Sequence, residues 1–279
     1  MNSTIINFTD EDYFEFTEWL RKQCGISIGE GKYYLVKSRL TPLMKKENII
    51  SMNELMVKMV TYRNTRLANE VVDLMTTNET LWFRDKHPFQ VLEDKILKNH
   101  KRDSNFKRFK VWSAACSTGQ EAYSIHMTIK KFEEENGRMT GGYEILGTDI
   151  SDEALSIARH GVYREMEVRR GLDSLTLKKW FREIDDGRYE VNPELKTNVS
   201  FKKYNLMDTR WTFGEFDVVF LRNVLIYFTV EEKKRILIQI ANHLKVGGCL
   251  ILGGTESLNG LHDVYDTVNY KPGIVYIKK

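Results

Sequence analysis

Three predicted strands end in residues that could bind a nucleoside. The first strand, Phe109–Ala114, is followed by a loop of small residues and by a helix from about Gln120, the arrangement that opens a nucleotide-binding fold. A second apolar strand ends in Asp149, and a third, Phe216–Leu221, ends in Arg222-Asn223. An acid at a strand end can accept hydrogen bonds from both hydroxyls of a ribose. The pattern therefore predicts a nucleoside site where the three strands end.

The loop after the first strand lacks the glycine-rich phosphate fingerprint GxGxxG. Residues 113–117 read SAACS, and the loop has one glycine, Gly119. A pyrophosphate needs the close backbone approach that two glycines allow. The sequence therefore favours a nucleoside without phosphates, of which S-adenosylmethionine is the common one. The alternative is an ordinary α/β loop with no ligand.

Composition and charge exclude several classes of protein. Of 279 residues, 42% are hydrophobic and 29% charged, which is ordinary for a globular protein, and a net charge of +3 is too weak to argue for general nucleic-acid binding. No apolar run reaches membrane-spanning length, and residues 1–7 do not resemble a signal peptide. Three cysteines that are far apart and six histidines without ligand spacing predict a reducing cytoplasm and no metal site.

The chain divides into an all-helical part and an α/β part. Residues 1–90 are predicted to form a helical domain, in which Thr9 caps a helix that Gly25 ends. Ser51 and Glu54 form a second capping signal. Basic residues crowd positions 91–108, which we predict to be a linker, and residues 109–279 are predicted to form the ligand-binding domain.

From Phe109 onwards strands alternate with helices, which predicts a mostly parallel sheet. The chain closes on an antiparallel hairpin whose turn reads Lys271-Pro272-Gly273. Residues 162–204 break the alternation, and their short polar strands, Arg188–Val191 and Val199–Lys203, predict a small antiparallel β insertion. The predicted fold class is therefore α/β, with a small all-α domain before it. The closing hairpin is typical of Rossmann-like class I methyltransferases.

Six motifs in this order resemble the CheR family of chemotaxis receptor glutamate methyltransferases, over nearly the whole chain. They are NETLWFRD (78–85), WSAACSTGQEAYS (112–124), GTDIS (147–151), NL (205–206), FLRNVLIYF (220–228), and LKVGG (244–248) with GTES (254–257). Three positions depart from the family pattern: Trp82 replaces phenylalanine, Gln120 replaces glutamate and Ala122 replaces proline.

The resemblance implies a bacterial signal-transduction enzyme, a protein-glutamate O-methyltransferase. It would transfer the methyl group of S-adenosyl-L-methionine to chemoreceptor glutamates for sensory adaptation, leaving methyl esters and S-adenosyl-L-homocysteine. A free glutamate titrates near ~4.3, so the nucleophile is already ionised and needs no strong general base. The alternatives are a methyltransferase acting on a nucleic acid or a small molecule, and a binding module without catalysis. Arg222-Asn223-Val224-Leu225 stands where base N-methylation usually has N-P-P-Y or D-P-P-Y.

The resemblance also implies the roles of individual residues. Cofactor contacts are expected from Asn78, Thr80, Arg84, Glu121, Asp149, Asn205, Leu206, Arg222 and Asn223. Asn205 and Leu206 would flank the adenine. Arg84, near the reacting carboxylate, and Tyr227, lining the methyl-transfer pocket, are the candidate catalytic residues. Thr80 and Arg84 are four residues apart and would share a face if a helix runs there.

Lys32 and Arg39 are seven residues apart, so a helix would place them on one face, and we predict that they dock the acidic methylation helices of chemoreceptors. A solvated charged face is the alternative. Pro42 is expected to end or kink that helix. The insertion loop 181–188 has a single glycine, so we predict that the chain resembles family members that do not depend on the receptor's C-terminal tethering peptide. A monomer that neither binds nucleic acid nor inserts into a membrane is expected.

Overall fold

The computed structural model describes residues 8–29, 31–102, 107–271 and 273–279, and for Asp186 the backbone alone. The helices are α1 Asp10–Cys24, α2 Tyr33–Lys46, α3 Met52–Met56, α4 Thr65–Met75, α5 His87–Val91, α6 Lys98–Arg102, α7 Gln120–Asn136, α8 Asp152–His160, α9 Glu165–Arg169, α10 Ser174–Trp180, α11 Pro193–Lys196 and α12 Val230–Asn242. Single π-helical turns, Val57–Thr61 and Leu92–Leu97, follow α3 and α5. Two 3₁₀ turns span Asp185–Gly187 and Leu225–Tyr227.

The strands are β1 Phe109–Ala114, β2 Tyr143–Asp149, β3 Val162–Arg164, β4 Phe181–Ile184, β5 Arg188–Val191, β6 Val199–Lys203, β7 Phe216–Leu221, β8 Leu244–Leu252, β9 Tyr265–Tyr270 and β10 Gly273–Lys278. Pro272 and residues 1–7, to which the sequence predictions referred, lie outside the described residues.

The main sheet has seven strands in the order β6-β2-β1-β7-β8-β10-β9. Its first five strands are parallel, and β10 and β9 are antiparallel, so the predicted fold class is confirmed. At the end of β1, Ala114 pairs with Thr148 of β2 and Leu221 of β7. The carboxyl ends of the three predicted ligand-bearing strands therefore meet at one edge of the sheet.

The predicted β insertion is smaller than expected. A three-stranded antiparallel sheet has the order β3-β5-β4, but Val199–Lys203 does not belong to it. That segment is β6, which pairs in parallel with β2 at the edge of the main sheet and packs Val199 and Phe201 against the core. Its assignment to the insertion is wrong because an edge strand is half exposed, and its polar pattern does not reveal which sheet it joins.

Helices α1 to α4 enclose a core of their own, which includes Phe16, Leu20, Val36 and Leu40. Thr9 forms a capping box with Asp12 at the start of α1, and Gly25 ends the helix at φ 75°. Helix α2 continues through the exposed Pro42 to Lys46, so the predicted end of the helix at this proline is not found.

The basic segment 91–108, predicted to be a linker, is helical as far as Arg102. Leu92 and Leu97 are buried in the same cluster as Phe109 of β1, so this segment covers the sheet. Its charged residues misled the linker prediction because they occupy the solvent side of a helix whose other side is apolar. The extent of the helical domain, residues 1–90, stays a prediction. Across the described ranges, no helix combines the length and the apolar character needed to cross a bilayer.

Candidate active site

A cavity lies where β1, β2 and β7 end, between the sheet and the helical region. All the residues predicted to bind the cofactor or to act in catalysis line it: Asn78, Thr80, Arg84, Glu121, Asp149, Asn205, Leu206, Arg222, Asn223 and Tyr227. Lys32 and Arg39 line it as well. The structure thus brings residues from six separate segments of the chain around one space.

Asp149 is a buried acid at the end of β2. Its Oδ2 accepts a hydrogen bond from the backbone N–H of Ser117 at 2.8 Å, and its Oδ1 accepts one from that of Ser151 at 3.0 Å. Burial raises the pKa of Asp149, although these backbone hydrogen bonds lower it. No cation forms a salt bridge with it in the part of the chain that the structure describes. A carboxylate offers about four acceptor positions, so it can still accept hydrogen bonds from ligand hydroxyls.

The loop between β1 and α7 folds tightly under the cavity. Ala115, Ser117 and Gly119 have positive φ values of 62°, 50° and 95°. A Cβ atom on Gly119 would lie 2.9 Å from the Cβ of Ala158, so only glycine fits there. The Ser117 hydroxyl donates to the carbonyl of Asn78 at 2.8 Å, which ties this loop to the segment that carries Thr80 and Arg84.

Glu121 and Arg222 form a largely buried ion pair in the cavity wall. Glu121 accepts from the Ser113 hydroxyl at 2.7 Å and from Nη1 of Arg222 at 2.8 Å. Nη2 of Arg222 donates to the carbonyl of Arg84 and to Asp85, both at 2.7 Å. The Arg222 side chain is 1% exposed, and its Nε finds no hydrogen-bond partner among the described residues. Both terminal nitrogens of Arg222 therefore hold protein groups, and its contact with the cofactor stays a prediction.

The segment from Asn78 to Lys86 contains no helix and has turns only at residues 82–85, so the helix that would have aligned Thr80 with Arg84 is absent. Phe83, Asp85 and Lys86 have positive φ values of 48°, 66° and 49°, which exclude a helix. Trp82 fixes these turns because its fully buried ring packs edge-on against Tyr163 and Phe181. Thr80 and Arg84 reach the same cavity without sharing a helical face.

Three cations in the cavity wall, Lys32, Arg39 and Arg84, have no acidic partner in the described parts of the chain, and Lys32 and Arg84 also lack the three short hydrogen bonds that hold Arg39. Arg84 is half-buried, and the one hydrogen bond seen for its guanidinium is a long one, 3.3 Å, to the carbonyl of Glu79. Lys32 is exposed just before α2. These two side chains can bind an anionic group, because neither charge is neutralised by a carboxylate.

Asn205 and Tyr227 join the sheet side of the cavity to the helical side. The Asn205 amide donates to the carbonyl of Gln23 at 2.7 Å and accepts from the backbone N–H of Met207 at 3.0 Å. The carbonyl of Tyr227 accepts from the backbone N–H of Ser27 at 3.0 Å. Among the described residues only one acceptor is found for the Asn205 amide group, so its second hydrogen can be donated to a ligand. The connection between α1 and α2 thereby forms part of the cavity wall, where Ile26 and Ile28 supply apolar surface.

Arg39, predicted to dock the receptor together with Lys32, also has a structural contact at the end of α4. Its Nη1 donates to the carbonyls of Met75 and Thr76 at 2.8 and 3.0 Å, and its Nη2 donates to the Thr77 hydroxyl at 3.2 Å. The half-buried guanidinium therefore caps the carbonyl end of α4. Lys32 is the residue just before α2 and lines the same cavity as Arg39, so the shared docking role of the two residues stays a prediction.

Glu256 has a role in the site region that was not predicted from the sequence, although it lies in the GTES motif. Its carboxylate accepts four backbone hydrogen bonds around the end of β7. The signal that could have revealed it is an acid just after Gly253-Gly254 at the end of β8, beside the strand that ends in Arg222-Asn223.

The chemistry of the cavity fits a phosphate-free nucleoside. Acceptor groups, Asp149 and Glu121, stand near the strand ends where a pyrophosphate would need donors. The described residues contain no cluster of ligands that could hold a metal ion.

Two family models match the sequence of this chain. The model described as "CheR methyltransferase, SAM binding domain" matches residues 78–274, and the model described as "CheR methyltransferase, all-alpha domain" matches residues 11–76.

Curated relatives match over most of the chain. It is 45% identical to a chemotaxis protein methyltransferase, Cher2, of Pseudomonas putida over 96% of this chain and 98% of the relative. It is 44% identical to the chemotaxis protein methyltransferase of Vibrio parahaemolyticus, over 98% of each chain. A more distant chemotaxis protein methyltransferase, from Borreliella burgdorferi, is 32% identical over 91% of each chain.

Proposed function

Since this chain belongs to the CheR family of S-adenosylmethionine-dependent chemotaxis methyltransferases, we propose that it methylates glutamate side chains of chemoreceptors to form methyl esters for sensory adaptation. The single observation that carries the proposal is the combination, in one cavity, of the buried acid Asp149 and the uncompensated cation Arg84. The first suits a ribose, and the second suits an anionic methyl acceptor.

The cofactor site is proposed at the carboxyl ends of β2, β1 and β7. Asp149 would accept hydrogen bonds from the ribose hydroxyls, while Asn205 and Leu206 would flank the adenine. Asn78 and Thr80 would contact the methionine part. When bound there, the cofactor supplies an electrophilic methyl group on a positively charged sulfur. The buried, unpaired charge of Asp149 supports this placement because it favours hydroxyl donors and repels phosphates.

Arg84 is proposed to hold the substrate glutamate. A guanidinium binds a carboxylate through a planar pair of hydrogen bonds, which a neutral glutamine side chain does not match. Arg84 would hold one carboxylate oxygen towards the methyl group that the cofactor would supply, and the transfer would require no proton to move. Because the nucleophile is ionised at neutral pH, the protein needs to orient it and to exclude water rather than to remove a proton. Tyr227 is proposed to line this part of the cavity.

The proposed partners are the cytoplasmic methylation helices of chemoreceptors, with Lys32 as a cation that faces them. We also propose that the receptor's C-terminal tail is dispensable, because the connection between β4 and β5 is the short turn Asp185–Gly187. Receptor fragments with and without the tail should be methylated at equal rates. A large loss on tail removal would refute this part of the proposal and leave glutamate methylation intact.

The main alternative is methyl transfer to a nucleic acid or a small molecule, and a binding module without catalysis is a third. The deciding experiment supplies labelled S-adenosylmethionine with either receptor cytoplasmic fragments or RNA. Transfer to the receptor fragment, lost in Asp149→Asn, is expected. Transfer to RNA would contradict the proposal. Binding of the cofactor without transfer to either would favour the binding module.

A further inference from the structure

We propose that Glu256 is a positioning residue for methyl transfer. Its carboxylate binds the backbone of the turn that carries Asn223 and Tyr227. Glu256 lies in the turn after β8 and does not line the cavity. Any effect on the reaction must therefore pass through the residues that it holds. The inference rests on the proposed function, since its main measurement is turnover.

The Glu256 carboxylate accepts hydrogen bonds from four backbone N–H groups. Oε2 accepts from Asn223 at 2.8 Å and from Gly253 at 2.7 Å. Oε1 accepts from Val224 at 2.9 Å and from Leu225 at 2.7 Å. Three consecutive N–H groups of the turn after β7 thus point at one charged side chain, an arrangement that backbone turns use to bind anions.

The turn needs such a partner because its backbone is unusual. Asn223 has a φ of 57°, in the left-handed region that costs a residue with a side chain free energy. The next residues form the 3₁₀ turn Leu225–Tyr227, whose N–H groups at its start have no helical acceptor. Glu256 satisfies these donors and so fixes where the turn places Asn223 and Tyr227 in the cavity wall.

The close packing around Gly253 also supports the contact between Glu256 and the turn. A Cβ atom at this position would lie 2.6 Å from Oε2 of Glu256 and 2.9 Å from Nδ2 of Asn223. The end of β8 and the end of β7 are therefore packed so closely that no side chain fits between the carboxylate and the turn. Even a methyl group at residue 253 must push Glu256 or Asn223 away.

The informative substitution is Glu256→Gln. An amide presents one oxygen and one NH₂ group, so one pair of backbone donors would face another donor and lose its acceptor. The side chain keeps its size, but the turn has to shift. A misplacement of ~1 Å can cost about 100-fold in rate, so we expect turnover at saturating cofactor to fall by between tenfold and 100-fold. Calorimetric affinity for S-adenosylhomocysteine should weaken by about tenfold, since Asn223 moves with the turn.

The matched control is Asp217→Asn, the same chemical change near the opposite end of β7. Asp217 accepts from the backbone N–H of Lys110 at 2.8 Å and from the Lys245 ammonium at 2.6 Å, and its side chain is 16% exposed. It supports the sheet far from the cavity. Asp217→Asn should lower the urea midpoint of unfolding and leave turnover within about twofold of the wild type.

Gly253→Ala disturbs the contact between Glu256 and the turn but leaves the charge of Glu256 intact. It provides the test of the inference if Glu256→Gln does not fold. It should lower turnover in the same way. Unchanged turnover in a folded Glu256→Gln or Gly253→Ala variant would overturn the inference, and so would an equal loss in Asp217→Asn. If the wild type binds S-adenosylhomocysteine but methylates no receptor, the proposed function fails. The weakening of S-adenosylhomocysteine binding in the two turn variants then decides the inference separately.

Discussion

Arg222 at the end of β7 donates from Nη1 to the carboxylate of Glu121 in the first turn of α7, at 2.8 Å. The same guanidinium holds Asp85 and the carbonyl of Arg84 through Nη2. The pair therefore joins the sheet, the first helix of the α/β part and the turn segment that carries Arg84. Its geometry links the placement of a candidate catalytic residue to the stability of the core.

Arg222→Met should lower the free energy of unfolding by about 3 kcal/mol, because it leaves the Glu121 carboxylate largely buried without its cation. The double variant Arg222→Met/Glu121→Gln should be destabilised by less than the sum of the two single variants. Urea unfolding of all four proteins measures this coupling.

The control is a double-mutant cycle on the exposed ion pair of Lys98 and Asp94. It should show a coupling free energy under about 1 kcal/mol. Additive effects at Arg222 and Glu121 would mean that the pair contributes nothing beyond its separate contacts.

Sequence patterns predicted the ligand-bearing strands well for a physical reason. β1, β2 and β7 are central parallel strands covered on both faces, so they read as continuous apolar runs, and their carboxyl ends must meet. β6 was misassigned because an edge strand carries no comparable signal.

The side-chain partners within the site could not be predicted to the same extent. The contacts of Arg39 with the end of α4 and of Glu256 with the turn after β7 join segments 36 or about 30 residues apart. No local period encodes such contacts. The turns around Trp82 depend likewise on burial against Tyr163 and Phe181, which only the tertiary structure reveals.

Asp149→Asn should weaken S-adenosylhomocysteine binding by about 100-fold, because it replaces charge-assisted hydrogen bonds to two hydroxyls that are together worth ~3 kcal/mol. Isothermal titration calorimetry measures the affinity. Asp152→Asn, at an exposed neighbour that pairs with Lys203, should bind like the wild type. Retained affinity in Asp149→Asn would show that the ribose is bound elsewhere.

Arg84→Ala should lower turnover by at least about 100-fold while it changes cofactor affinity by less than about threefold, because the guanidinium is proposed to orient the substrate carboxylate. Receptor methylation kinetics and calorimetry separate the two effects. Arg182→Ala, which removes an exposed arginine paired with Glu190, is the control. Equal losses of turnover and of cofactor affinity would assign Arg84 to cofactor binding alone.

Lys32→Glu should raise the KM for the receptor fragment without changing affinity for S-adenosylhomocysteine, because it reverses an exposed charge that is proposed to face an acidic helix. Lys45→Glu, an exposed lysine near the other end of α2, is the matched control and should have a smaller effect. The KM increase should shrink at high salt. An unchanged receptor KM would remove Lys32 from the docking surface.

His126 should make the protein less stable in mild acid. Burial lowers its pKa to about 4, and its ring nitrogens form hydrogen bonds with the Leu195 carbonyl and the Tyr143 hydroxyl. In the unfolded state His126 is protonated near pH ~6.5, but in the folded state it is protonated only near pH 4. Its contribution to the free energy of unfolding is therefore fully present above pH ~6.5 and is lost as the pH falls towards 4.

Between pH 7.5 and pH 5 this group should cost the wild type about 2 kcal/mol of unfolding free energy that His126→Asn does not lose. Urea unfolding at both pH values measures the difference. His160→Asn, at an exposed histidine, is the control substitution. Identical pH slopes for the wild type and His126→Asn would contradict the assignment.

The most direct measurement is the chemical nature of the methylated product. A receptor cytoplasmic fragment is incubated with the enzyme and methyl-labelled S-adenosylmethionine, and the washed protein is then treated with mild alkali. Ester formation on glutamate predicts that the label is released as volatile methanol, and that replacing the methylated glutamates by glutamine abolishes incorporation. Label that resists alkali, or that enters the glutamine-substituted receptor equally well, would contradict the account.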